Sequence, residues 1–263
     1  MYMYAKNIWL EANEEKIKKI MEFNEGYKEY ISKGKTERVC VELSVEIAEK
    51  YGYKNLKEAK EIKPGDKFYL VNLNKNIVLF NVGKKPLTEG MRVLGAHIDS
   101  PRLDVKQNPL YESRDFALLD THYYGGVKKY QWVTIPLAIY GVVVKKDGQS
   151  IKVSIGDEPN DPVVGISDLL IHLSGDQLQK PAARVIEGED LDVTLGSMPV
   201  QDKEAKEAVK ANVLKLLKEK YDFDEEDFLS AELEIVPAGP ARDYGLDRSM
   251  VAGYGHDDRV CAY

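Results

Sequence analysis

The stretch Arg92-Val93-Leu94-Gly95-Ala96-His97-Ile98-Asp99-Ser100-Pro101 decides how the chain is read. Its first half is a short apolar run with the small residues Gly95 and Ala96, which predicts a buried strand of a mixed sheet flanked by helices. That strand would deliver His97 and, two residues on, Asp99. The two-residue period of extended chain sets both side chains on one face. A metal-bound imidazole whose orientation is controlled by a neighbouring carboxylate needs that arrangement. A His and an Asp paired at a strand end for structural reasons alone fit the same spacing.

Towards the N-terminus the pattern becomes helical. Residues 11–31 carry Ile17, Ile20, Met21, Phe23 and Tyr27 among charged neighbours. Thr36 is placed to cap a second helix with Val39, Leu43, Ile47 and Tyr51 on its dry face and Gly52 as its stop. Glu37, Arg38, Glu42, Glu46 and Glu49 then fall on the wet side. Two β-rich runs at 67–73 and 77–82, separated by Asn74, Lys75 and Asn76, predict a hairpin. Helices, strands and a buried strand together indicate an α/β domain with polar residues at a strand end.

Towards the C-terminus the texture changes from about residue 104. Strands are expected at 132–144 and 151–155 around a Gly-containing turn, then a loop at 159–165 and a short helix at 166–173. An amphipathic helix over 201–221 would turn Val209, Val213, Leu216 and Leu217 inward. In 231–236, Leu233 and Ile235 alternate with Glu232 and Glu234, as in a strand with one wet face. There is no internal repeat and no low-complexity tract. The fold class expected is α/β, with a split mixed-sheet domain at 1–103 and 241–263 and a β-rich module at 104–240 inserted between its halves.

The bulk numbers narrow the function classes. The 263 residues are 43% hydrophobic, enough for one large or two ordinary domains. A formal net charge of -7 with no Lys/Arg-rich run argues against nucleic acid as a partner. The longest apolar stretch, 132–144, falls short of the roughly 20 residues a membrane span needs, and residues 1–10 do not read as a secretory signal. Cys40 and Cys261 lack the spacing of a zinc knuckle or disulfide framework and read as reduced thiols of a soluble, cytoplasmic protein. No Gly-x-Ser-x-Gly elbow, phosphate-binding glycine loop or dinucleotide fingerprint occurs.

A second motif lies far downstream: Gly253-Tyr254-Gly255-His256-Asp257-Asp258-Arg259. Two glycines free the backbone, and adjacent carboxylates follow. A carboxylate has two oxygens and can bridge two cations, as a two-metal hydrolase requires. A turn and an N-cap Asp opening a helix through Val260 and Ala262 is the structural alternative.

Taken together, His-x-Asp-Ser-Pro after an apolar strand and Gly-x-Asp-Asp-Arg beyond a module resemble the M18 family of metallo-aminopeptidases. The resemblance continues through Arg102-Leu103-Asp104-Val105-Lys106, Glu234-Ile235-Val236-Pro237-Ala238-Gly239-Pro240-Ala241-Arg242-Asp243 and Gly245-Leu246-Asp247-Arg248-Ser249. It implies an exopeptidase acting on peptides with a free N-terminus through two divalent metal ions, zinc first, with cobalt or manganese also suited to nitrogen and oxygen donors. Carried over by position, His97 is a metal ligand, Asp99 the carboxylate that orients or tunes it, and Asp257 the bridging ligand. Asp258 is then a neighbour, although the pair could be reversed. His172 is the nearest candidate for a histidine of the inserted module that reaches a neighbouring subunit's site. Spaced four residues from Asp168, it could equally be a paired histidine on a half-buried helix. His122 is expected in a loop. The resemblance also implies that the inserted module makes dimer contacts and that complete subunits assemble as dimers into a dodecamer.

The sequence departs from the family in one respect. The Glu-Glu pair that supplies a base and a ligand, and the further Asp and His ligands, lie beyond the bridging Asp in that family. Here Glu14-Glu15 and Glu225-Glu226 are the available pairs, both in charged stretches. Two ligands cannot fill two metal shells, so the 263-residue chain by itself is expected to be an inactive N-terminal portion. A non-catalytic assembly or binding module and a two-metal deacylase on the same scaffold are the rival readings.

Overall fold

A computed structural model describes residues 6–202 and 204–263. The chain begins with helices α1 (Ile8–Glu11), α2 (Glu14–Lys33) and α3 (Glu37–Lys50). Strands β1 (Lys54–Asn55), β2 (Lys67–Asn72) and β3 (Asn76–Asn81) follow. Next come β4 (Arg102–Ser113), β5 (Phe116–Tyr124), β6 (Leu137–Val144), β7 (Ser150–Ile155) and β8 (Val193–Gly196). Helix α4 (Ala208–Tyr221) and strand β9 (Glu232–Pro237) precede β10 (Arg242–Tyr244), β11 (Met250–Ala252) and α5 (His256–Arg259). The residues divide into two units: the chain up to Ile98 together with Pro240–Tyr263, and Asp99–Gly239. No helix among the described residues is long and apolar enough to cross a membrane.

In the first unit, Asn13 caps α2 by accepting from the Lys16 amide at 2.9 Å. Tyr27, Tyr30 and Ile31 of α2 pack on Cys40 of α3, with Leu43, Ile98, Ala241 and Val251 against them. The dry face of α3 is not the predicted one. Cys40, Val41 and Ala48 are buried, while Ile47 and Tyr51 are exposed, so the helix is rotated about one position from the four-residue stripe. Thr36 stands at the N-cap but makes no side-chain cap bond, and Glu37, expected in water, is buried and paired with Lys75 at 3.3 Å. Phe23 of α2 is likewise exposed.

Strand β2 pairs parallel with β1 and antiparallel with β3, giving a small mixed sheet with the predicted hairpin. Its turn takes Leu73 and Asn74 through positive φ, 52° and 54°. The strand expected at 92–96 is absent. Those residues are irregular, with Val93 77% and Leu94 99% exposed. A strand without polar alternation is stable only when paired along its edges and covered on both faces. Neither β1, β2 nor β3 pairs with it.

The second unit is a six-stranded sheet in the order β7-β6-β9-β4-β5-β8, antiparallel throughout. Leu103, Leu119, Leu137, Val143, Val193 and Ile235 are fully buried in it. Burying such side chains is worth about 1.5–3 kcal/mol each relative to exposure, so this sheet is the main core. Strand β9 lies between β6 and β4, and its Glu234, expected to be wet, is 2% exposed beside Arg102 at 3.4 Å. A central strand offers no solvated face to half of its residues. The hairpin β4–β5 was not foreseen. Its turn residues Arg114 and Asp115 both have positive φ, 50° and 62°, without the Asn-Gly signature of such turns, and the β4 register shifts between Val105 and Leu110.

Helix α4 starts at Ala208 rather than at 201, and Lys203 lies outside the described residues. The Glu112 carboxylate accepts from the Val209 and Lys210 amides at 2.9 and 3.0 Å, so a side chain from β4 satisfies the first turn. Val209 and Val213 are buried as expected, but Leu216 is exposed. The helix predicted at 166–173 does not form; only the three residues Ile171–Leu173 make a 3-10 turn.

Candidate metal centre

The site is assembled from the first unit alone. Gly253 lets the chain leaving β11 pass close to α2, where an added Cβ would stand 2.9 Å from Ile31 Cδ1 and 3.0 Å from Ala241 Cβ. Gly255 then takes φ 80°, the left-handed turn that starts α5. Backbone freedom, expected of both glycines, is needed only at Gly255, and Gly253 serves close approach. Upstream, the β10–β11 hairpin is tied to α2 by Lys28 Nζ on Asp243 Oδ1 at 2.5 Å and by the Ala241 amide donating to Ser32 Oγ at 2.9 Å. That carboxylate raises the Lys28 pKa.

The four residues of α5 carry the two carboxylates. Asp257 is exposed, and the Asp258 side chain is mostly covered. His97 reaches the same place from the irregular segment, with its Nε2 3.3 Å from Asp258 Oδ1. One ligand atom from each of His97, Asp257 and Asp258 lies within 4.8 Å of the others. This donor set fits a divalent metal. Zinc takes imidazole nitrogen and carboxylate oxygen at about 2.0–2.2 Å in a tetrahedron, whose edges are then about 3.3–3.6 Å. The separation of His97 Nε2 from Asp258 Oδ1 is of that size. Three donors leave the shell of even one zinc ion incomplete, and no glutamate belongs to this cluster among the described residues.

Other residues singled out in the sequence lie in the second unit. Asp99 is half-buried, and its Oδ2 accepts from the Tyr124 hydroxyl at 2.6 Å. The Tyr124 ring in turn stacks on the Arg102 guanidinium, 4.2 Å from its centroid. His172 is exposed on its 3-10 turn. Asp168 does not share a helix face with it; its carboxylate accepts from the Leu169 amide and from Gln177 Nε2, both at 2.8 Å. His122, expected in a loop, is on β5 opposite Asp104, with its ring stacked on Tyr123. Asp258, expected as a neighbour of the bridging Asp257, faces His97 Nε2. The signal was present in the adjacent carboxylates, but a helical turn cannot be told from an extended chain there by two letters alone.

Comparisons with known proteins bear on the family and the fold. Residues 30–263 match the family model described as aminopeptidase I zinc metalloprotease (M18). A probable M18 family aminopeptidase 1 of Clostridium acetobutylicum is 56% identical over 98% of this chain and 56% of its own length. The crystal structure of an M18 family aminopeptidase from Thermotoga maritima superposes with a TM-score of 0.93 at 45% identity, over 100% of this chain and 57% of that one. At the level of fold alone, the S. cerevesiae mApe1 dodecamer is similar over 86% of this chain and 50% of that one, with a TM-score of 0.62 at 19% identity. The chain thus spans a little over half the length of the M18 relatives it matches.

Proposed function

The chain belongs to the aminopeptidase I zinc metalloprotease (M18) family, and from that premise we propose that it supplies part of the metal centre of an aminopeptidase that removes N-terminal residues from peptides. The observation that carries the reading is the convergence of His97, Asp257 and Asp258. Two divalent ions, when bound, would lower the pKa of a shared water and polarise the scissile carbonyl. His97 would give its Nε2 lone pair, and Asp257, exposed and with two carboxylate oxygens, would bridge. Asp258, already facing His97 Nε2, would offer a further carboxylate donor. Asp99 keeps the role of tuning carboxylate on the strength of the His-x-Asp spacing. Zinc is favoured by the family description, with cobalt and manganese compatible with the same donors.

The split of the catalytic domain into 1–103 and 241–263, with 104–240 as a dimerisation insert, belongs to the same proposal. Homo-oligomerisation is supported by the exposed run Leu169, Leu170, Ile171 and Leu173 around His172, and by the mApe1 dodecamer on the same fold. A partner subunit covering that run would bring His172 into use at its own site. Two unbridged cysteines suit a cytoplasmic protein.

Three donors and no base favour an inactive 263-residue chain with weak metal affinity. Zinc uptake by this chain, followed by equilibrium dialysis, should fall at least tenfold in His97→Ala and in Asp257→Asn. Equal uptake by wild type and His97→Ala removes the metal-centre reading. Zinc-stimulated release of product from an aminoacyl amide by the pure chain removes the inactivity.

A further inference from the structure

We propose that Tyr27 and Arg259 are positioning residues for the candidate metal ligands, acting as two tethers at the ends of α5 that fix the Asp257 and Asp258 carboxylates. A four-residue helix has one turn and no cooperative stability of its own, and the N-cap of α5 makes no side-chain bond. Something else must hold the carboxylates where His97 can face them.

The first residue of α5, His256, is held by its Nδ1, 2.9 Å from the Tyr27 hydroxyl. Its other ring nitrogen, Nε2, is buried without a hydrogen-bond partner among the described residues. Tyr27 is thus what fixes the imidazole by hydrogen bonding. Tyr27 is itself buried on α2 in one cluster with Tyr30, Ile31 and Cys40, with the Tyr263 ring 5.5 Å from its own. The last residue, Arg259, is 0% exposed. Its Nη2 donates to the Lys35 carbonyl at 2.9 Å, in the joint between α2 and α3, and its Nη1 donates to the Tyr254 carbonyl at 3.5 Å. The guanidinium also lies over the Tyr254 ring at 5.1 Å. Burying a guanidinium is costly unless geometry and hydrogen bonds compensate. Here the bonds go to main-chain carbonyls, which bind the start of the motif, its end and the α2–α3 joint into one frame. Asp257 and Asp258 are the two residues between the tethers. Side chains behind metal ligands typically change metal affinity by about 10–100-fold when removed.

The inference rests on the metal-centre reading, so its test separates the two. In the 263-residue chain, cobalt(II) is titrated and its visible absorption followed, while hydrogen exchange is measured without metal at the Val260 amide, which closes the α5 turn on the His256 carbonyl, and at the Tyr263 amide, which bonds the Arg259 carbonyl in the turn that follows. Tyr27→Phe removes one hydroxyl. It is expected to leave the unfolding midpoint within a few degrees of wild type, speed exchange at those amides at least tenfold, weaken cobalt binding about tenfold and shift the absorption band. Arg259→Lys should recover part of the affinity that Arg259→Met loses; if neither Arg259 variant folds, Tyr27→Phe decides alone. Unchanged exchange, or faster exchange with wild-type affinity and spectrum, overturns the positioning role. Cobalt bound equally by wild type and His97→Ala overturns the metal centre instead, and the exchange rates still report on the tether.

Discussion

Residues 99–239 and the residues on either side of them solve the packing problem in different ways. The former bury Leu137, Val143, Val193 and Ile235 completely in one six-stranded sheet. The latter gather Tyr27, Tyr30, Ile31 and Cys40 between two helices and leave Val93, Leu94 and Leu246 in water. The core of the first kind is mostly aliphatic, joined by Trp132, Phe223 and Phe228 and by the buried Arg102–Glu234 pair. That of the second mixes hydroxyls, a thiol and a buried guanidinium, and it is the second that carries His97, Asp257 and Asp258. A densely packed sheet resists change, whereas chemistry needs side chains that a substrate or ion can reach.

The contrast can be broken at Gly141. This β6 residue has φ 149° opposite Leu233, and a Cβ there would run into the Glu232 carbonyl oxygen. Gly141→Val should cost more than about 4 kcal/mol or prevent folding, as read by urea denaturation; a loss under about 1 kcal/mol means the sheet is less rigid than argued. A smaller effect sharpens the other side. Burial pushes the Tyr30 hydroxyl up to about 12 from its ordinary 10.0. Its folded-state pKa is raised, so its contribution is complete below pH 10 and lost as pH rises through 12. Wild type should therefore lose about 2–3 kcal/mol more than Tyr30→Phe between pH 9 and pH 12, and parallel pH curves for the two proteins contradict it. The smallest effect is expected at Leu94→Ala, within about 0.5 kcal/mol of wild type for a side chain that buries almost nothing. A loss of 2 kcal/mol there would show that the segment packs in solution.

How far the sequence told this in advance depends on what each signal measures. The long helix at Glu14–Lys33, the β2–β3 hairpin and the strands β6 and β7 were legible because each rests on local periodicity and turn chemistry. The run at 92–96 read as a strand because apolar composition does not say whether partners exist to pair with it. Conversely, β4 and β5 were missed although they are the longest strands, since Arg114-Asp115 makes their turn without glycine and Pro109 interrupts the pattern. Glu234 was set in water because alternation reports one neighbouring layer, not a central position in the sheet. At the candidate site, the two motifs point to His97 and Asp257, whose ligand atoms the structure brings together with one of Asp258. His256 and Arg259 are in plain view as letters, but their contacts are with Tyr27 and Lys35, more than two hundred residues upstream.

The pairing of β4 with β9 has a wider consequence. Leu103 lies opposite Ile235 in that ladder, so the chain that opens the 99–239 sheet and the chain that closes it run side by side, about 5 Å apart. The sheet's own ladder thus holds the two ends of this stretch together. The entropic cost of closing a loop grows only slowly with its length, so additions or trims between the strands inside the stretch would leave that pairing in place.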